Sequence, residues 1–267
     1  MKAKMVLKVL GIILLILLVL ILILVIVVHV NAKKNRPVMN ETAAKGLELV
    51  QKDFTVTKLD AGDYTDMKFY GIMKFHVDQY RIEELGNLSV MTADMGFVQM
   101  VSFLITPYEK NLPVCTLDYM YILGSRTSYT EFYDLAADTE SDAYRGVQDS
   151  LKELASRYAD LEDSKVEEHW YDTYLTVFMH KKLKRADDAR NKEMFCDALQ
   201  TYLDAAKATE LNSPEDQAKQ VENTQQYCDG LIEKGGVSTD LFKKVLGEEK
   251  THEFFDRVFF GTDLYRK

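Results

Sequence analysis

The sequence predicts an α+β protein in which helices cover a mostly antiparallel sheet, preceded by a helix that spans a membrane. Short β-rich runs joined by short links fill residues 54–135, and short links favour antiparallel pairing. Helical stripes follow in residues 144–259, so that the strands come first and the helices second. An apolar run without charge occupies residues 9–28, ahead of both.

The apolar run at residues 9–28 would form a helix of about 30 Å, enough to cross the hydrocarbon core of a bilayer. The alternative is a signal peptide cleaved near residues 30–32, but the run is longer than the apolar region of such peptides. We therefore predict a single-pass anchor with basic flanks at residues 1–36 and a globular domain at residues 37–267. Because basic residues flank both sides of the run, the positive-inside rule does not fix its orientation. A polar linker is predicted at residues 31–41.

The globular part is acidic. The first 36 residues hold six of the 33 basic residues and no acid, so the remainder has 27 basic and 42 acidic residues and a net charge of −15. Such a body disfavours nucleic acid binding, and an anionic membrane surface would repel it. Three widely spaced cysteines favour free thiols in a reducing compartment over a disulfide framework. The five histidines match no metal-binding spacing.

Six strands are predicted from β-rich runs bounded by turn residues. Both alternating faces of the run at residues 97–106 are largely apolar, which indicates a central strand covered on both sides. Gly and Ser at residues 124–126 suit a tight hairpin between two of the strands. The predicted strands are residues 54–58, 69–76, 88–92, 97–106, 115–123 and 127–135.

Helices are predicted where apolar residues recur every three or four positions or where capping residues stand. Ser213, followed by Pro and two acids, is a strong start for a helix that should end at Gly235. Residues 170–179 are apolar, and their pattern fits either a strand or a buried helix. The other predicted helices are residues 42–52, 144–158 and 195–206, a helix capped by Ser238 or Thr239, and a final turn or two at residues 254–259.

One acidic residue interrupts the apolar pattern of the predicted sheet. Asp118 lies in the middle of its strand and shares a face with Thr116, Met120 and Ile122. A carboxylate is unfavourable to bury unless it is paired or protonated, and desolvation would raise its pKa as a proton donor requires. A purely structural role, with the carboxylate bonded to backbone N–H groups or to a Lys or Arg, is the alternative.

Several segments resemble the ferredoxin-dependent bilin reductases. They are residues 105–118 (ITPYEKNLPVCTLD) with the strand that follows, residues 133–136 (YDLA), the pair at 227–228 (YC), and the runs at 241–249 (LFKKVLGEE) and 258–261 (VFFG). Together they cover about half of the soluble chain, in the order and spacing of the family.

This resemblance implies an α/β/α sandwich, with a linear tetrapyrrole held between the central sheet and the C-terminal helices. It implies reduction of a biliverdin-like bilin by electrons from reduced ferredoxin, without a bound cofactor or metal. Asp118 falls where the family keeps its proton-donating strand aspartate. Because ferredoxin is cytoplasmic, we expect the globular domain in the cytoplasm. The alternatives are a non-catalytic, membrane-anchored protein that binds a tetrapyrrole or another apolar ligand, and an extracytoplasmic protein of unrelated function.

The sequence departs from the family at two positions. Family members that complete phycocyanobilin carry a His and a Glu on the two preceding strands, where alignment gives Val101 and Met91. A single reduction, another tetrapyrrole, or loss of activity are therefore open. Asp94 is near enough to substitute but suits a turn before Gly96, and the family's second aspartate has no clear counterpart. Its two candidates lie opposite the apolar stripe of their helix, which predicts solvated roles; they are Asp197 and Asp204.

One basic cluster stands out on the acidic body. It comprises residues 181–185 (KKLKR) with Arg190 and Lys192. It is a candidate docking patch for an acidic ferredoxin or a partner for bilin propionates, and a solvated helix end is the alternative.

Overall fold

The structure, a computed structural model, describes residues 2–236 and 238–266. Its strands form one eight-stranded sheet in the order β1-β3-β4-β5-β6-β7-β8, with β2 paired to β3, and every pairing is antiparallel. The strands are β1 (Val56–Leu59), β2 (Asp66–Phe69), β3 (Met73–Ile82), β4 (Gly86–Asp94), β5 (Val98–Thr106), β6 (Val114–Ile122), β7 (Ser125–Tyr133) and β8 (Leu175–Lys184).

Helices cover both faces of the sheet. One face packs against α1, α2 and α3, and the other packs against α4, α5, α6 and a π-helical turn at Phe255–Phe259. The helices are α1 (Lys2–Asp53), α2 (Asp142–Ser156), α3 (Asp188–Ala208), α4 (Pro214–Lys234), α5 (Thr239–Leu246) and α6 (Glu248–Phe254), with short 3-10 turns at Gly62–Tyr64, Trp170–Tyr174, Arg185–Asp187 and Thr262–Leu264.

The sheet is larger than the six predicted strands. The predicted run at residues 69–76 is divided by the turn between β2 and β3, because Tyr70 and Gly71 adopt positive φ angles there. The undecided segment at residues 170–179 forms a 3-10 turn followed by β8. In β8 buried and accessible residues alternate, which is the pattern of a strand and not of a helix.

The predicted polar linker at residues 31–41 is wrong, because α1 continues through it without a break. Ala32 and Asn35 are buried at one end of the sheet, and Asn35 Nδ2 donates to the carbonyl oxygens of Tyr121 at 3.2 Å and Leu123 at 3.1 Å. Strand-end carbonyls thus satisfy a polar side chain that the sequence alone suggests is solvated. Pro37 lies inside the helix, where it removes one backbone hydrogen bond.

The N-terminal half of α1 leaves the globular body. Its apolar run is exposed, with a mean hydropathy of 3.9 over an 18-residue window. Among the residues that the structure describes, α1 is the one helix long and apolar enough to span a membrane.

The two faces of the sheet carry two separate hydrophobic cores. In the first core Phe195 of α3 packs edge-on against Phe103 and Tyr119 of the sheet. The second core, beneath α4 to α6, is rich in aromatic rings and is incompletely filled. A strand alternates its side chains between faces, so each strand residue belongs to one core or the other.

Candidate functional site

A row of side chains crosses the second face of the sheet at mid-height. Strand register places Met91, Ser102, Asp118, Tyr129 and His180 side by side, one each from β4 to β8. All five line one cavity between the sheet and the C-terminal helices. The alternation of β6 therefore brings Asp118 to the face that the sequence predicted, beside Thr116 and Met120.

The cavity has a volume of about 480 Å³, within the range of roughly 300–1,000 Å³ that small-molecule sites occupy. The sheet forms its floor, α4, α5 and the π-helical turn form its roof, and Ser164 and residues 166–169 line its mouth. Much of the wall is aromatic, so it offers flat apolar surfaces to a conjugated ligand. The aromatic lining residues are Tyr129, Tyr133, Tyr171, Phe178, Tyr227, Phe242, Phe255, Phe259 and Phe260.

Asp118 faces this cavity without a full set of hydrogen bonds. Its Oδ1 atom is buried and has no hydrogen-bond partner in the structure. Burial raises the pKa of Asp118 to about 7; the Ser102 hydroxyl on β5 opposes this rise, and the negative charge of Glu131 adds to it. Asp118 as a whole is only partly buried, because it borders the cavity. The carboxyl can therefore be present in both protonation states at neutral pH, as an acid catalyst requires.

The raised pKa of Asp118 predicts a pH-dependent stability. Between about pH 4 and pH 7 the unfolded chain loses a proton that the folded chain keeps, so the free energy of unfolding should fall as pH rises. An Asp118→Asn variant lacks this titration. We expect the variant to gain roughly 2–3 kcal/mol of stability relative to the wild type between pH 5 and pH 8.

Urea unfolding of the full chain in detergent, followed by Trp170 fluorescence, measures the free energy of unfolding of the wild type and the variant at pH 5 and pH 8. An unchanged difference in stability between pH 5 and pH 8 would show that the pKa of Asp118 is not raised in the folded protein.

A second polar cluster lines the cavity, and sequence reasoning missed it. Glu131 accepts hydrogen bonds at 2.7 Å from Tyr133 Oη and lies 2.7 Å from His180 Nε2. The ring of Tyr129 meets that of His180 edge-on at 5.0 Å. The available signal was the alternation of Tyr129, Glu131 and Tyr133 along one predicted strand, which puts all three on the face of Asp118.

The two residues aligned with the family's Glu and His lie on opposite faces of the sheet. Met91 lines the cavity, but Val101 points to the opposite face and packs in the first core. Ser102 is the residue of β5 that faces Asp118. Because side chains alternate along a strand, a difference of one residue in β5 decides whether a side chain faces the cavity or the first core.

The other predicted aspartates lie outside the cavity. Asp94 ends β4, where it accepts from Arg36 at 2.7 Å and from the Gly96 N–H at 3.1 Å, as a turn residue does. Asp197 and Asp204 belong to α3 on the other face of the sheet, and both are more than one-third exposed. Asp197 accepts a hydrogen bond from Tyr158 Oη at 2.9 Å, whereas Asp204 is 58% exposed.

The predicted basic cluster ends β8 and not a helix. Lys181 is buried and pairs with Asp163 at 2.6 Å, and Arg185 donates to Asn31 at 2.6 Å. Arg190 and Lys192 lie on α3, where Arg190 pairs with Glu193 and Lys192 pairs with Glu41 of α1. Lys182 and Lys184 are exposed. None of these residues lines the described cavity, so a propionate contact there is not among their roles.

The acidic segment Glu167, Glu168 and His169 lies at the mouth of the cavity. Within residues 2–236 and 238–266, no three His, Cys, Asp or Glu side chains are grouped so that they could hold a metal ion. The three cysteines are all free thiols.

Comparison with known proteins identifies the fold. No protein-family profile matches the sequence, and no curated protein sequence matches it. The crystal structure of phytochromobilin synthase from tomato in complex with biliverdin is similar to this chain, with a TM-score of 0.69, 12% sequence identity and 85% of each chain covered. This likeness confirms the predicted α+β class, a mostly antiparallel sheet flanked by helices. The chain therefore shares its fold with phytochromobilin synthase.

Proposed function

We propose that the cavity binds a linear tetrapyrrole and that the protein reduces this pigment with electrons from reduced ferredoxin, with Asp118 as the proton donor. The observation that carries the proposal is a buried carboxyl oxygen without a partner, facing an aromatic cavity of about 480 Å³. Pyrrole N–H groups are donors that would satisfy that oxygen. A shared fold with a protein that has been crystallised with biliverdin supports the choice of ligand.

The chemistry assigned to the chain is proton delivery. Two reduced ferredoxin molecules supply two electrons in separate steps, and the pigment takes up two protons to form the reduced bond. Asp118 gives one of these protons to the one-electron-reduced pigment, is protonated again from water at the mouth, and gives the second proton after the second electron arrives. The aromatic walls exclude water from the pigment, which protects the radical from other reactions. No cofactor bound to the protein is required in this scheme.

The charged residues that line the cavity affect where the propionate groups of a bilin can lie. Two histidines lie against carboxylates: His180 beside Glu131 and His169 beside Asp172. None of the described lining residues is Lys or Arg. We infer that the propionate groups of a bilin point out of the mouth into solvent and add little to affinity. The carboxyl groups of the lining are those of Asp118, Glu131, Glu167, Glu168 and Asp172.

This function implies a location for the domain. Ferredoxin is a cytoplasmic electron carrier, so we propose that α1 crosses the membrane once and leaves the globular domain in the cytoplasm. Lys182, exposed on β8, is the residue of the predicted basic cluster that remains available to an acidic partner away from the end of the sheet where α1 leaves the body.

A non-catalytic pigment-binding protein is the second candidate. The resemblance implies a Glu at Met91 and a His at Val101, and the residues of β4 and β5 that face the cavity in the row of Asp118 are Met91 and Ser102. Neither side chain can exchange a proton with a tetrapyrrole at neutral pH. In this case the pigment binds and keeps its spectrum when reduced ferredoxin is added.

The test uses the full chain in detergent with two probes, biliverdin and its dimethyl ester. We expect both to give a shifted visible absorption band, with dissociation constants within about threefold of each other. Ferredoxin with its reductase should then bleach or shift the band. Met120→Trp, which fills the cavity beside Asp118, should abolish the binding shift, and Leu211→Trp, at an exposed site elsewhere, should not.

Each outcome has one meaning. If neither probe gives a shift, the cavity does not bind bilins. A shift that survives reducing conditions unchanged identifies the non-catalytic function. Binding of the free acid that is more than tenfold tighter than that of the ester would show that the protein recognises the propionates, against the inference from the lining.

A further inference from the structure

Three hairpin tips meet at the end of the sheet where α1 leaves the body. They join β2 to β3 (residues 70–72), β4 to β5 (residues 95–97) and β6 to β7 (residues 123–124), and strand register puts them all at the same end. The hydrogen bond from Asn35 to the carbonyl of Leu123 fixes α1 at this end. We call this the hairpin end.

Large apolar side chains project from two of these tips. Tyr70, Ile72 and Phe97 are 60%, 73% and 57% exposed. Single exposed apolar residues are ordinary on a protein surface and need no explanation. Three of them on adjacent turns, beyond the end of the strands and next to an apolar helix, form a local surface that water solvates poorly.

The spacing along α1 puts this surface close to the bilayer. The apolar run ends at Val28, and Asn35 is level with the hairpin end. Seven residues of helix rise about 10 Å, whereas the interfacial layer on each side of a bilayer is roughly 5–8 Å thick. Because α1 is unbroken between these residues, the turns are held within side-chain reach of the interfacial layer.

The hairpin end is also basic, although the globular part as a whole has a net charge of −15. Lys68 and Lys74 face each other across the β2–β3 hairpin, directly beside the exposed turn. Asp94, at the tip of β4, is paired with Arg36. Aromatic residues and lysines together are typical of proteins at membrane interfaces. The exposed lysines at or next to this end are Lys33, Lys34, Lys68, Lys74 and Lys184.

We propose that the hairpin end docks on an anionic bilayer surface, with Tyr70, Ile72 and Phe97 in the interfacial layer. The sequence alone suggests repulsion by such a surface, because a net charge does not reveal how cations are distributed. The fold gathers exposed lysines at the hairpin end, so that this end of an acidic body is attracted to anionic lipid. This proposal requires α1 to cross the membrane and is independent of what the cavity binds.

The test uses the full chain in lipid nanodiscs, with one tryptophan added in each of two variants, Ile72→Trp and Phe97→Trp. Leu211→Trp is the matched control, because Leu211 is 56% exposed and pairs with Lys110 in the β5–β6 connection, at the opposite end of the sheet. Wild-type fluorescence, from Trp170, gives the background. In nanodiscs of anionic brominated lipid we expect the fluorescence of the tryptophans at positions 72 and 97 to fall at least twofold, while that at position 211 does not change.

Equal quenching at all three positions, or none at positions 72 and 97, would overturn the docking. Quenching at positions 72 and 97 that is as strong in zwitterionic as in anionic lipid would overturn the role given to the lysines.

Discussion

Asp118→Asn is expected to slow bilin reduction by at least 100-fold while pigment binding is retained. Asparagine has nearly the same shape as aspartate and can still bond a pyrrole N–H group, but it has no proton to give at neutral pH. Loss of a general acid typically reduces the rate by about 10²–10⁴-fold. Since electron transfer does not need this group, the one-electron-reduced pigment should accumulate in the variant.

Anaerobic absorption spectra and electron paramagnetic resonance, recorded with ferredoxin and its reductase, follow the product and the radical. Asp204→Asn is the control, because Asp204 is an exposed carboxylate on the other face of the sheet. A rate for Asp118→Asn within threefold of the wild type, without a radical signal, would remove Asp118 from the mechanism.

The largest expected loss of stability is that of Asp188→Ala. Arg126 is fully buried, and its guanidinium holds the Asp188 carboxylate in two hydrogen bonds, Nε to Oδ1 at 2.5 Å and Nη2 to Oδ2 at 2.9 Å. Its Cζ atom lies 4.9 Å from the ring centre of Tyr121. Removal of one partner leaves a buried charge uncompensated, so we expect a loss of about 3 kcal/mol in the free energy of unfolding.

Unfolding by urea at pH 7 measures this loss, and the double variant Arg126→Met with Asp188→Ala is its control. Methionine at position 126 has a similar length to arginine and no charge, so the double variant has no unpaired buried charge. It should therefore recover more than half of the lost stability. If Asp188→Ala loses less than about 1 kcal/mol, water reaches Arg126 well enough to replace its partner.

The sequence predicts local features of this protein well. The period-two alternation of one strand suffices to put Asp118, Thr116 and Met120 on a common face, and the cap at Ser213 correctly marks the start of α4. These features depend on residues that are close together in the chain. The order of strands before helices likewise suffices for the α+β class.

Features that depend on distant pairing could not be predicted. Glu131 and His180 are 49 residues apart, and only the pairing of β7 with β8 brings them together. The continuation of α1 beyond its apolar run has the same cause. Asn35 is polar, as a linker residue would be, but strand-end carbonyls distant in sequence accept its hydrogen bonds.

The unbroken course of α1 also limits how the domain can move. A flexible tether would let the body tumble freely above the membrane, whereas a rigid helical stem leaves mainly rotation about the bilayer normal. α1 runs alongside the strands, from the hairpin end to the opposite end where the Glu83 N–H donates to the Thr55 carbonyl, so with α1 across a bilayer, as proposed, the sheet would stand upright on the membrane. The cavity mouth, anchored to the middle of β8 where Ser164 bonds His180, then opens sideways. With α1 across a bilayer, as proposed, this opening would stay at a constant height above the membrane, where a cytoplasmic electron carrier would approach it from the side.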